Sequence, residues 1–144
     1  MTKKILSLLL ILGVVFTSCK KDSPVVVDAR DKFVGTWNGT SKEFEAGVLV
    51  YTGPSSYTIT KDASNANRIL ISDAANGFVN IPATVNGSSY TVSNYSFLET
   101  DYSTIVNATG VLSGNTITEN ASAVETDLTT GDIFNYTSIT SLSK

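Results

Sequence analysis

Val79-Asn80-Ile81-Pro82-Ala83-Thr84-Val85-Asn86, followed at once by Gly87, is the stretch that decides how this chain folds. Val79, Ile81, Ala83 and Val85 alternate with Asn80, Pro82, Thr84 and Asn86. A period of two puts the first set on one face of a strand and the second on the other. Asn86-Gly87 is a pair favoured where a hairpin needs positive φ. Beyond it Tyr90 and Val92 resume the alternation, whereas Tyr95 and Phe97 fall on the opposite parity. A bulge is therefore expected near Ser93-Asn94. Pro82 lacks an N–H and suits only an edge or a bulge.

The same pattern extends in both directions. Tyr57 and Ile59 alternate with Ser56, Thr58 and Thr60, and Phe134 and Tyr136 with Asn135 and Thr137. Turn signals separate these runs, among them Glu45-Ala46-Gly47, Gly53-Pro54, Asn76-Gly77, Gly114-Asn115 and Thr130-Gly131-Asp132. Strands are predicted over residues 35–44, 47–52, 55–61, 68–73, 78–85, 89–99, 103–112, 116–126 and 133–142. The chain is thus read as all-β, an antiparallel up-and-down meander of eight or nine strands. A meander of this size closes, or nearly closes, into a barrel and so removes its edges.

Composition agrees with strands. The chain has 144 residues, room for one domain. It holds 18 Ser, 19 Thr and 11 Asn, a mixture that suits exposed strand faces more than helices. There is no histidine and one cysteine, Cys19. A Ser-His-Asp triad, a Cys-His pair, a Cys/His zinc site and an internal disulfide are therefore excluded within the chain. The formal charge of −3 argues against nucleic acid as a partner, because phosphate binding depends on clustered Lys and Arg.

The first residues read as an address. Lys3 and Lys4 precede an apolar run over residues 5–16, interrupted by Ser7 and Gly13. Twelve helical residues span roughly 18 Å, short of a ~30 Å hydrocarbon core, so this is a signal peptide over residues 1–18 and not an anchor. Thr17, Ser18 and then Cys19 follow. Residues 16–19, FTSC, resemble the lipobox of bacterial lipoproteins, in which the cysteine is lipidated and becomes the first mature residue. Multiple acyl chains, at about 0.8 kcal/mol per buried methylene, anchor such a chain stably. Lys20-Lys21-Asp22 beside the cysteine resembles lipoproteins of the Bacteroidota. That resemblance implies the cell envelope, with the outer membrane favoured by the lysine after the cysteine and surface or periplasmic exposure left open. Residues 19–32 form the lipidated cysteine, a tether and a short helical turn that Asp28 could cap.

Residues 31–37, DKFVGTW, open the first strand. Phe33, Gly35 and Trp37 resemble the start of the calycins, the lipocalin and fatty-acid-binding-protein barrels. The resemblance implies that the glycine lets the chain pass tightly and the tryptophan plugs the narrow end of the barrel. Thr100-Asp101-Tyr102 looks like the second lipocalin motif. Two features depart from the pattern: residues 38–52 read as strand and turn where fatty-acid-binding proteins insert two helices, and no arginine follows Arg68. The arginine that closes a lipocalin against its tryptophan has no counterpart unless Arg30 takes the part. The fit is better to small lipocalin-like lipoproteins of the Bacteroidota, which share this start and this size and imply no activity; residues 33–144 are then the calycin-like barrel.

Catalysis without histidine would need paired carboxylates. Glu43 with Glu45, Glu99 with Asp101, and Glu125 with Asp127 are each two apart, roughly 6.6 Å along a strand face. All lie at strand ends or turns, where charges also discourage edge pairing. No enzyme is expected, and no cofactor. Residues 127–132, DLTTGD, place oxygens around a glycine, but lack the alternating acids and distal Glu of a calcium loop. A capped hairpin turn is the better reading, and no metal site is expected.

The functional expectation is a lipid-anchored barrel that binds a small apolar or amphipathic ligand in its interior. Tyr57, Ile59, Ile69, Ile71 and Phe134 are the ligand-lining candidates, and plain core is the stronger reading of the same residues, because a barrel of this size can be filled by its own side chains. The rival is a non-enzymatic surface module for glycan or protein, with Tyr51, Tyr90, Tyr95 and Tyr102 as contact aromatics. The partners expected are the membrane, through acyl chains, and one of these ligands.

Overall fold

The computed structural model describes residues 27–144. The signal peptide and the lipidated Cys19 lie outside the described residues. Eight strands follow one another: β1 Gly35–Glu45, β2 Val48–Lys61, β3 Arg68–Asp73, β4 Phe78–Asn86, β5 Ser89–Leu98, β6 Tyr102–Ser113, β7 Thr116–Asp127 and β8 Ile133–Ser143. Each pairs antiparallel with the next, and β8 returns to pair with β1, closing a meander barrel. Closure gives every strand two neighbours, although β2 before Thr58 and β4 before Thr84 are paired on one side only.

Eight strands replace the nine read from the sequence because Gly53-Pro54 is no turn. Pro54 lies within β2 opposite Thr40 of β1, while β2 meets β3 only over Thr58 to Lys61. The missing N–H therefore faces a side with no ladder bond to lose. Pro82 is similarly placed: it pairs with Leu70 of β3, whereas β4 meets β5 only from Thr84 to Asn86. The register between β5 and β6 shifts between Val92 and Tyr95, where Asn94 takes φ 48°. Asn107 Oδ1 accepts the freed Asn94 N–H at 2.8 Å, so the bulge is satisfied by a side chain on the neighbouring strand.

Alternation carries one set of side chains inward, and they fill the two ends differently. At one end Phe33, Trp37, Ile59, Ile69, Tyr90, Ile117 and Leu142 pack into an apolar plug, with Trp37 only 1% exposed. Trp37 Nε1 donates to the Phe33 carbonyl at 2.6 Å, and the Phe33 and Tyr90 rings meet edge to face at 5.6 Å. Each fully buried side chain of this size contributes about 1.5–3 kcal/mol.

Residues 29–33 cross beneath the plug as consecutive turns, where a helical turn was expected. Asp28 Oδ1 accepts the Arg30 N–H at 2.9 Å and serves as their cap. Arg30 does not reach Trp37. Its guanidinium pairs with Asp28 at 2.8 Å and donates to the carbonyls of Asp62 and Asn65, tying the turns to the β2–β3 loop. Arg30, then Lys61, hold the Asp28 carboxyl well below the usual carboxylate range. The cation over the tryptophan is Lys144, whose Nζ lies 4.5 Å from the ring centroid and donates to the Val34 carbonyl at 2.7 Å.

Closure depends on one glycine. Gly39 pairs with Leu142 where β1 meets β8, and a Cβ built there would lie 1.8 Å from the Ser141 carbonyl oxygen. That obstacle is backbone and cannot rotate away. Gly39→Ala is expected to destabilise the barrel by about 1–3 kcal/mol, the range for forced overpacking. Urea unfolding compared with Thr36→Ala, an outward change on the same strand, measures it; equal stability of the two variants would refute the constraint.

Candidate functional site

Above the plug the barrel is hollow. A cavity of about 460 Å³ opens toward the end formed by the β1–β2, β3–β4, β5–β6 and β7–β8 connections. Inward positions recur every two residues, so the layer above Ile117, Ile59 and Leu142 holds Glu119, Tyr57 and Thr140. Small side chains then leave the space open: Ala108 on β6, and Ala121 and Ala123 on β7, all line it.

Glu119 sits on the cavity floor with 6% exposure. Tyr57 Oη donates to its Oε1 at 2.7 Å and Tyr90 Oη to its Oε2 at 2.5 Å. Tyr90 reaches it by lying across Gly110 of β6, where a Cβ would come within 2.1 Å of the ring. Burial pushes the Glu119 carboxyl upward from 4.5, and the two tyrosine hydrogen bonds only partly oppose it. Burial first, and the neighbouring Glu119 charge second, hold both phenols protonated far above their ordinary range.

Asp73 ends β3 on the cavity wall at 3% exposure. Its Oδ2 accepts from Ser55 Oγ at 3.1 Å and Asn76 Nδ2 at 2.8 Å. Its Oδ1 is buried and accepts no hydrogen bond among the described residues. An unsatisfied buried acceptor of this kind costs about 1–3 kcal/mol, more when charged. Toward the mouth come Glu43, Glu99 and Glu125, with the rings of Phe78, Phe97 and Tyr136. Burial, then Glu125 and Glu45, raise the Tyr136 phenol above its usual value. The rim exposes Val48 and Leu49 on the β1–β2 hairpin, Val79, Leu98 and Ile133.

Of the five side chains read as ligand-lining, Tyr57 and Ile71 line the cavity. Ile59 and Ile69 belong to the plug, because they lie at the β2–β3 end that the turns at 29–33 close. Phe134 is half-buried on β8 and outside the lining. Phe33 and Trp37 pack in the plug, and Gly35 has φ 130° beside the Lys144 side chain. Tyr90, read as a surface aromatic, is wholly buried as the second donor to Glu119.

Glu119 and Asp73 were missed, although both carry a readable signal. Each is an acid on the inward parity of an apolar strand, after Ile117 and after Ile69 and Ile71. Within the carboxylate pairs, Glu43, Glu99 and Glu125 line the cavity while Glu45, Asp101 and Asp127 do not. The Asp127 carboxylate caps its own turn, accepting the N–H groups of Thr129 at 2.7 Å and Thr130 at 3.0 Å.

No family model matches this chain, and no curated protein does. Among solved structures it is similar to a protein of unknown function from the DUF3598 family of Nostoc punctiforme, with a TM-score of 0.44 and 14% identity. The likeness covers 78% of this chain and 48% of that one, so the chain spans about half the length of that protein.

The floor acid makes stability depend on pH. Folded Glu119 holds its proton above 4.5, the value that the unfolded chain regains. The native state therefore binds more protons in that window, and stability falls as pH rises from about 4.5 through the raised value. Glu119→Gln keeps the shape without the charge. It is expected to match the parent near pH 4 and to exceed it as pH rises above 4.5. Chemical denaturation across that range measures the difference, and parallel curves for the two proteins would contradict it.

Proposed function

We propose that this chain is a lipid-anchored envelope protein of the calycin-like type, whose barrel takes a small amphipathic molecule through its open end. The observation that carries the reading is the unequal filling of the interior. Aromatic and branched side chains occupy one end completely, and alanines at the other leave a lined space within the range of small-molecule sites, about 300–1,000 Å³.

Two further features support it. The cavity combines apolar walls from Ile71, Ile81 and Val92 with a few fixed polar groups on its floor, the combination that orients a ligand. The chain also enters at the plugged end, where Arg30 ties residues 28–33 to the β2–β3 loop. The described chain therefore begins at the end opposite the mouth. Binding without turnover is the proposed activity, and the outer membrane the proposed location. On β7 the outward residues Thr116, Thr118, Asn120 and Ser122 are polar, with Val124 the apolar exception, unlike the continuous apolar band of a barrel that spans lipid.

Occupancy is tested with Nile red, a neutral dye that brightens in apolar surroundings. The parent should bind it saturably. Ala123→Phe, which places a ring in the cavity, should weaken binding at least tenfold while leaving the melting temperature equal or higher. Dye that binds both proteins alike lies outside the barrel and would remove the basis for this reading. Anchoring is tested separately: Cys19→Ala should abolish incorporation of labelled palmitate in cells, and undiminished labelling would overturn the lipoprotein assignment.

A further inference from the structure

We infer that the molecule this cavity takes carries a protonated amine, because five acidic side chains and four aromatic rings line it and no basic side chain does. The inference rests on the barrel being a binding site and narrows the chemistry of its ligand. The acids are Glu119 on the floor, Asp73 on the wall, and Glu43, Glu99 and Glu125 toward the mouth. A cleft lined by one sign of charge concentrates the opposite sign and repels its own. Fatty acids, phosphates and other anions are thereby disfavoured.

Independent support comes from Asp73. Its carboxylate is 3% exposed, and Oδ1 has no donor among the described residues while Ser55 and Asn76 both serve Oδ2. What this oxygen lacks is an N–H or O–H donor, and a charged N–H makes the strongest such bond. The rings of Tyr57, Phe78, Phe97 and Tyr136 add faces on which an ammonium group is attracted to the π-electrons.

A metal ion fits less well than an organic cation. A hard cation needs its oxygen ligands gathered around a single point. The acids here are strung from floor to mouth, and among the described residues no three gather closely enough to hold one. Charge spread along an apolar channel suits an elongated amine whose hydrocarbon body lies against Ile71, Ile81, Val92 and Val106.

The test compares octylamine, octanol and octanoate by calorimetry at pH 7.5, on the parent and on Asp73→Asn and Glu119→Gln, each checked for folding by circular dichroism. Octylamine should bind at least tenfold more tightly than octanoate and measurably more tightly than octanol. At least one folded variant should lose most of that preference; two variants guard against either one failing to fold. Octanol or octanoate binding as tightly as the amine would overturn the amine assignment and leave interior binding standing. A preference undiminished in the folded variants would place the cation on the outer surface and likewise overturn it. Failure of all three compounds and of Nile red to bind the parent would instead remove the binding reading itself.

Discussion

A barrel of eight strands has an interior of fixed girth, and the side chains that point inward must fill it or leave it open. Everything distinctive about this protein follows from how unevenly it meets that constraint. At one end the turns at 29–33, Trp37 and five other large side chains occupy the whole bore. At the other the inward row of β7 steps down to Ala121 and Ala123, and the rings of Phe78, Phe97 and Tyr136 line the space without filling it. The closed end supplies the apolar burial that stabilises the fold, and the open end supplies a chamber. These are two halves of the same strands, so cavity and core cannot be separated in sequence.

The boundary between the halves is where the polar chemistry lies. Glu119 is the first inward residue beyond the plug, and its burial would be prohibitive without the tyrosines from β2 and β5. Both phenols are themselves held in place by packing, Tyr90 against Phe33 and over Gly110. The acid is thus positioned by three strands at once. Asp73, at the short end of β3, is less completely served. Natural cores rarely leave a carboxylate oxygen without a donor, and the oxygens that are left so concentrate where a ligand is received.

Much of the fold could be read directly because period two is a strong local signal. The alternation over residues 79–86 and the parity change between Val92 and Tyr95 located β4 and the β5 bulge without any knowledge of neighbours. Gly53-Pro54 misled for an equally physical reason. A proline ends a strand only when its missing N–H faces a partner, and partnership on the β3 side is a property of the assembled sheet. The lining residues were half legible. Inward parity identified Tyr57, Ile59, Ile69 and Ile71 together, but depth along the barrel axis separates plug from cavity, and parity carries no depth.

The sequence by itself determined most of the strands, the meander order and the aromatic residues at the first strand, because each depends on neighbours within a few positions; it split β2 at Gly53-Pro54 and put Val79, which is exposed, on the face of Ile81. Tertiary structure alone decided that Lys144, rather than Arg30, covers Trp37, and that Glu119 faces two tyrosines. It alone gathered five acids from four different stretches of chain around one space. Those meetings join residues tens of positions apart, up to 110 for Lys144 and Val34. Strand tilt and register around the closed barrel set such distances, and no local pattern in the chain encodes them.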